Sequence, residues 1–142
     1  MSSMSIERIY RFKGDPRSFI DRILRDPEII ALYYEGVEGS AEERYLRIIK
    51  ASIRFGDNEI FRGDIEVFKR LEEPLRITFH SIKGEIIDLI ISFMRISGNE
   101  YIMKILCRFN ERSSRPDYHA LESILRYLEE QFLLYFPNEF KP

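Results

Sequence analysis

Arg47 is the residue of this chain that most invites a chemical reading. Read with a period of two, Tyr45, Ile49, Ala51, Ile53 and Phe55 share one apolar side of a strand, and Arg47 falls on that same side. A buried guanidinium without a partner is costly, so it must meet a carboxylate, a set of carbonyls, water or an anionic ligand. Two readings stay open. In one, Arg47 sits at the strand end, its stem covering apolar surface while its head reaches solvent or a local Glu. In the other, its fork holds the carboxylate of a ligand, with a hydroxyl donated by Tyr45 or Tyr101. Arg8, between Ile6 and Tyr10, raises the same question less firmly.

Other chemistries find little support. His80 alternates onto the wet side of its strand and His119 stands near a helix start, with no Cys or second His at metal-ligand spacing. Asp64, Glu66 and Asp88 read as outward surface charges, so no carboxylate pair projects inward for glycosidase-type acid–base work. No G-x-x-x-x-G-K-[ST] loop is present to cradle a phosphate. Cys107 is the single cysteine, which excludes an intrachain disulfide, and its strand position suits a small buried hydrophobe. The sequence therefore predicts no catalytic residues, no metal and no cofactor.

The 142 residues suit one domain spanning 1–142. A net charge of −2 and the lack of a basic tract argue against nucleic acid as a partner. The apolar runs are broken by charges before reaching spanning length, and Met1 to Lys13 has no apolar core or small-residue cleavage site, which predicts a soluble, cytoplasmic protein with no transmembrane segment. The 16 Arg against 6 Lys and the single glutamine, Gln131, are compatible with a hot environment.

Those residues must be positioned by a simple series of elements. Ser5 to Lys13 reads as a strand. Asp15-Pro16 and Asp26-Pro27 repeat one helix-start device, Asp accepting from orphan amides and Pro supplying the first helical φ. Two short helices should follow, the first with Phe19, Ile20, Ile23 and Leu24 on its apolar face and the second with Ile29, Ile30, Leu32 and Tyr33. Glu35 to Glu43 reads as a loop. Tyr45 to Phe109 then reads as five consecutive strands, with turns at Gly56-Asp57-Asn58, Glu72-Glu73-Pro74, Lys83-Gly84 and Gly98-Asn99. One face collects Phe61, Gly63, Ile65 and Val67; Leu75, Ile77 and Phe79; Ile87, Leu89, Ile91 and Phe93; and Tyr101, Met103, Ile105, Cys107 and Phe109. The opposite face is mostly charged. Leu46, Ile48, Ile86, Ile90 and Leu106 interrupt it, which leaves room for a covering homo-oligomer partner. After the polar loop Asn110 to Arg115, a helix of about five turns carries Tyr118, Leu121, Leu125, Leu128, Phe132 and Tyr135 on one stripe.

This order of strand, two helices, five-stranded meander and long C-terminal helix resembles the START-like, or helix-grip, superfamily, which includes Bet v 1-like proteins and polyketide cyclases. The resemblance covers nearly the whole chain and rests on element order, on Asp15-Pro16 and Asp26-Pro27, and on the last helix. It implies an α+β helix-grip fold, a curved antiparallel sheet of about six strands gripping the C-terminal helix over its concave face. Larger members have seven strands, so a further edge strand is missing or hidden within Tyr34 to Gly39. The resemblance also implies a cavity between sheet and helix for fatty acids, sterols, phospholipids or aromatic polyketides.

The favoured expectation is a binding or carrier protein for a hydrophobic or amphipathic small molecule such as a fatty acid. Its tail would lie among Phe61, Ile65, Phe79, Leu89, Phe93, Met103, Leu125, Leu128 and Phe132, with its head near Arg47, Tyr45 and Tyr101. Two alternatives belong to other classes. A cyclase-like enzyme would place Tyr45 and Tyr101 about a reacting carbonyl. An interaction module, similar to relatives that regulate chaperones, would have a collapsed cavity and bind a partner through an exposed apolar patch.

Overall fold

The computed structural model describes residues 4–40, 42–114 and 116–142. Met1 to Ser3, Ala41 and Arg115, which the sequence reading assigned to the N-terminal segment, the loop into the sheet and the loop before the last helix, lie outside the described residues.

The expected α+β arrangement of a large antiparallel sheet and a C-terminal helix is present. The strands are β1 (Ser5–Lys13), β2 (Gly36–Ser40), β3 (Tyr45–Phe55), β4 (Asn58–Phe68), β5 (Leu75–Ser81), β6 (Ile86–Ser97), β7 (Glu100–Phe109) and β8 (Phe140–Lys141). They form one sheet in the order β2-β3-β4-β5-β6-β7-β1-β8, so each consecutive pair from β2 to β7 is a hairpin and β1 closes against β7. The sheet thus has eight strands rather than about six. β2, the strand hidden where a loop was expected, reads Gly-Val-Glu-Gly-Ser and carries no apolar alternation; β8 is two residues long.

Helix α1 (Pro16–Arg25) starts as the sequence predicts, the Asp15 carboxylate accepting from the Arg17 amide at 3.0 Å. The second expected helix is a single 3-10 turn, Pro27–Ile29, capped by Asp26 on the Glu28 amide at 3.2 Å. Ile29 and Ile30 are buried as expected, but Leu32 and Tyr33 are exposed, because the chain leaves the helical path after one turn. Helix α2 (Tyr118–Tyr135) is capped by Asp117 and packs its Leu121, Leu125, Leu128 and Phe132 stripe over β1, β4 and β7. The buried Gln131 amide, on the same helix, donates to the Ile29 carbonyl at 3.3 Å and ties the 3-10 turn to α2.

The inward residues of β4 to β7 fall as the alternation predicts: Phe61, Ile65, Val67, Leu75, Ile77, Phe79, Ile87, Leu89, Ile91, Met103, Ile105 and Cys107 are all buried. In β3 the alternation fails at one point. Pairing steps from Ile48↔Ile65 directly to Ala51↔Gly63, so Ile49 and Lys50 together oppose Asp64, and Lys50 takes a left-handed φ of 51°. This β-bulge shifts parity by one residue. Leu46 and Ile48 are therefore buried inside, while Tyr45, Arg47 and Ile49 belong to the outer side. Asp64 holds the bulge, accepting from the Lys50 amide at 3.1 Å. Beside it Gly63 has no alternative, since a Cβ there would lie 1.8 Å from the His80 carbonyl oxygen.

Among the described residues no helix is long and apolar enough to cross a membrane.

Candidate functional site

The space between sheet and α2 is closed at one end by aromatic rings. Phe19, carried inward by α1, lies with its ring centroid 4.6 Å from Phe136, 5.3 Å from Phe132, 5.4 Å from Phe12 and 5.7 Å from Phe93. Tyr10 and Phe140 extend the cluster at a centroid distance of 4.7 Å. The Tyr10 hydroxyl donates to Glu129 of α2, and burial, followed by that bond, pushes the phenol well above its ordinary range. Tyr10 is thus a fixed hydrogen-bond donor that clamps α2 to β1, not an acid at neutral pH.

At the other end, around the first turns of α2, the packing is looser. Phe61 and Phe79, 5.4 Å apart, join Ile60, Ile87, Ala120 and Ile124 around a throat enclosing only about 10 Å³ of free space. That is about the room of one water. Ile60, Glu85 and Ala120 also line an adjacent open groove of about 610 Å³ between the β3–β4 turn, the β5–β6 turn and α2. The groove exists because α2 presents the small residues Ala120 and Ser123 here, where its later turns present Leu, Tyr and Phe. That change in side-chain size along the helix is the signal by which the sequence could have revealed the mouth.

The residues expected to line a cavity divide into two sets. Ile65, Phe79, Leu89, Met103, Leu125, Leu128, Phe132 and Phe61 are buried between sheet and helix, and Phe93 and Tyr101 pack partly buried at its edge. Only Phe61 and Phe79 of these line the throat. Arg47 and Tyr45 do not join them, and this corrects the inward placement. The Arg47 guanidinium, 40% exposed, lies 2.6 Å from Asp64 Oδ2 and 3.5 Å from Glu38 Oε2, while the Tyr45 hydroxyl donates to Glu66 Oε2 at 3.2 Å. The physical reason is the bulge at Ile49 and Lys50. The tyrosine pair that cyclase-like chemistry would use is consequently split, Tyr101 inside and Tyr45 outside. Arg8 is also exposed.

The outer face carries its own polar order. His80 Nε2 lies 2.9 Å from Glu66 Oε1. Asp88, expected as a surface charge, is 2% exposed and accepts from Thr78 Oγ1 at 2.8 Å and Asn110 Nδ2 at 2.9 Å. These bonds satisfy a carboxylate that neighbouring strands cover. The Lys50 amide, together with the Arg47 guanidinium, holds the Asp64 carboxyl below its ordinary range. Since the folded value is depressed, the stability it contributes is present above the unfolded carboxyl value, about 3.9, and is lost as pH falls through the lower folded value. Asp64→Asn should therefore cost about 1 kcal/mol in urea unfolding at pH 7 and nothing at a pH below both values. An equal cost at both pH values would deny the charge any part in holding the bulge. Cys107 is buried, its thiol pushed up to about 12 by burial, as suits an inert packing residue.

Solved structures share this architecture. A START superfamily protein from Mycobacterium smegmatis matches with a TM-score of 0.59 and 9% identity, covering 90% of this chain and 93% of its own. Ginseng major latex-like protein 151 from Panax ginseng matches with a TM-score of 0.58 and 12% identity over 94% of this chain and 97% of its own. The Zhui aromatase/cyclase from Streptomyces sp. R1128 gives a TM-score of 0.55 and 8% identity over 96% of this chain and 99% of its own. Neither a protein-family model nor a curated relative matches the sequence. The fold is thus START-like, as the order of elements suggested, and identities this low speak for the fold alone.

Proposed function

We propose that the protein is a single-domain cytoplasmic binding or carrier protein for an apolar or amphipathic small molecule, which enters between sheet and α2 beside Ala120. One observation carries this reading: the groove beside Ala120 shares Ile60, Glu85 and Ala120 with a small space walled by the buried Phe61, Phe79, Ile87 and Ile124 together with Ser81. Concave apolar sites with a few polar groups at the rim are the usual form of small-molecule sites. The START-like fold supports the same reading. A long tail needs far more than 10 Å³, so binding requires side chains of the throat to move, and the Phe61 and Phe79 rings that wall it are the ones that must turn. The finer choice of a fatty acid rested on Arg47 as the partner of its carboxylate. With Arg47 on the outer face, the apolar tail is the part of that choice that remains.

A second reading has a specific observation in its favour. The closed interior suits a module that binds a protein partner instead, and Ile9, Met94 and Ile96 are exposed on the sheet. Extraction of the freshly purified protein into organic solvent, followed by mass spectrometry, distinguishes the two. A stoichiometric apolar molecule in the extract is the expected result. An extract with none, together with no displacement of a neutral naphthylamine dye by any ten- or twelve-carbon compound, would favour the interaction module.

A further inference from the structure

Away from α2, the outer face of the sheet holds an apolar patch across β1, β7 and β6. The outward side chains of β1 run Ser5, Glu7, Ile9, Arg11 and Lys13, and Ile9 is 62% exposed. The pairing register sets Ile9 beside Lys104 of β7 and Lys104 beside Ser92 of β6, so these three form one row across the sheet. The next outward row on one side is Glu7, Leu106 and Ile90, and on the other side Arg11, Ile102 and Met94. Met94 is as exposed as Ile9, while Ile90, Ile102 and Leu106 are half-buried. Single apolar residues on a surface need no partner, but a contiguous set marks an interaction face.

The order of charges along these strands selects the partner. A two-fold axis lying on the face along the Ile9, Lys104 and Ser92 row sets each strand antiparallel upon its own copy. Ile9 then meets Ile9 of the second copy, Leu106 meets Ile102, Ile90 meets Met94, and Glu7 meets Arg11. Arg108 and Glu100, one outward row further from the axis on either side, are also opposite in sign. An interface between identical faces requires this self-complementarity. Among the described residues Arg11, Arg108 and Glu100 have no ion-pair partner in their own chain, so the second copy supplies what each lacks. Lys104 alone faces its own copy, and Glu7 of its own chain, 3.7 Å away, offsets that charge. Stacked sheets lie about 10 Å apart with strands within about 30° of each other, which keeps the two rows beside the axis within reach.

We propose that the outer face of β1, β7 and β6 is the interface of a two-fold homodimer with Ile9 on its axis. This face is separate from the groove beside α2, and the dimer does not rest on the small-molecule reading. Three strands about 4.8 Å apart and about 30 Å long give roughly 400 Å² in plan, about half of the area per partner in a standard interface. The dimer is therefore a dissociable one, formed at micromolar concentration.

Sedimentation velocity of the full-length protein from about 2 to about 200 μM should show the monomer passing into a dimer. Ile9→Glu sets two like charges against each other on the axis and should leave a monomer throughout, with a urea midpoint at low concentration close to that of the wild type because the position is exposed. Glu7→Arg and Arg11→Glu should each weaken the dimer at least about tenfold, since the axis doubles every change. The double variant Glu7→Arg/Arg11→Glu only exchanges the two signs, and should return the dimer to within about threefold of the wild type. Such rescue within one chain is specific to a face that meets itself. A monomer at every concentration, a dimer untouched by Ile9→Glu, or a double variant no better than the single ones would each overturn the proposal.

Discussion

Replacing Phe19 with alanine is expected to lower the stability of the protein by about 3–5 kcal/mol, the range for deleting a buried aromatic ring. Phe19 is 1% exposed and touches four other rings, and it is the residue through which α1 fills the closed end of the interior. The surrounding Phe12, Phe93, Phe132 and Phe136 are held by the sheet, by α2 and by each other, so the gap should collapse only partly. An apolar void of that kind stays dry and accepts an apolar guest. Saturating benzene should therefore return part of the lost stability to the Phe19→Ala protein by mass action, more than it adds to the wild type, whose closed end has no void to fill. The checks are the urea midpoint of both proteins with and without benzene. A loss below about 1 kcal/mol would mean that the end is not tightly packed, and the absence of rescue would mean that it collapses. Phe19→Leu, which keeps most of the volume, should fall well short of the alanine loss.

The second large effect concerns the throat. Ala120 is the small residue of α2 that lines both the groove and the throat. Ala120→Trp should fill the mouth and weaken binding of 1-decanol at least about tenfold, or about 1.4 kcal/mol, while the urea midpoint stays close to that of the wild type. Leu134→Trp, at an exposed position of the same helix, should leave binding unchanged. Loss of binding in both variants would point to a general effect on α2, and loss in neither would place the ligand elsewhere.

Much of the fold could be read from residue order because the local signals agree with one another. The Asp15 cap of α1, the turn residues of the meander, the alternation in β4 to β7 and the apolar stripe of α2 each point to the element that forms. What escaped was structure with no periodic signal. β2 has two glycines and no apolar alternation, β8 is two residues long with Phe140 buried against Tyr10 and Phe132, and the 3-10 turn after Asp26 begins with the same Asp-Pro device as a full helix. The candidate site was half legible. Its walls follow from period-two reading, but one bulge at Ile49 and Lys50 carried Arg47 and Tyr45 to the other face. A bulge requires a left-handed residue and a partner for its freed amide, here Lys50 and the Asp64 side chain, and two such residues on different strands leave no pattern in the sequence. Of the two readings of Arg47, the bulge selects the one in which its head reaches solvent and local carboxylates, here Asp64 and Glu38.

The central claim is that an apolar ligand enters between sheet and α2 beside Ala120. Methyl-resolved NMR of isoleucine-labelled protein during titration with 1-decanol tests it most directly. Entry at the throat predicts that Ile60, Ile87 and Ile124 shift first and saturably, while Ile9 and Ile96, exposed on the sheet, stay unmoved. Saturable shifts at Ile9 and Ile96 with Ile60, Ile87 and Ile124 unchanged would contradict the account and place binding outside the grip of the helix.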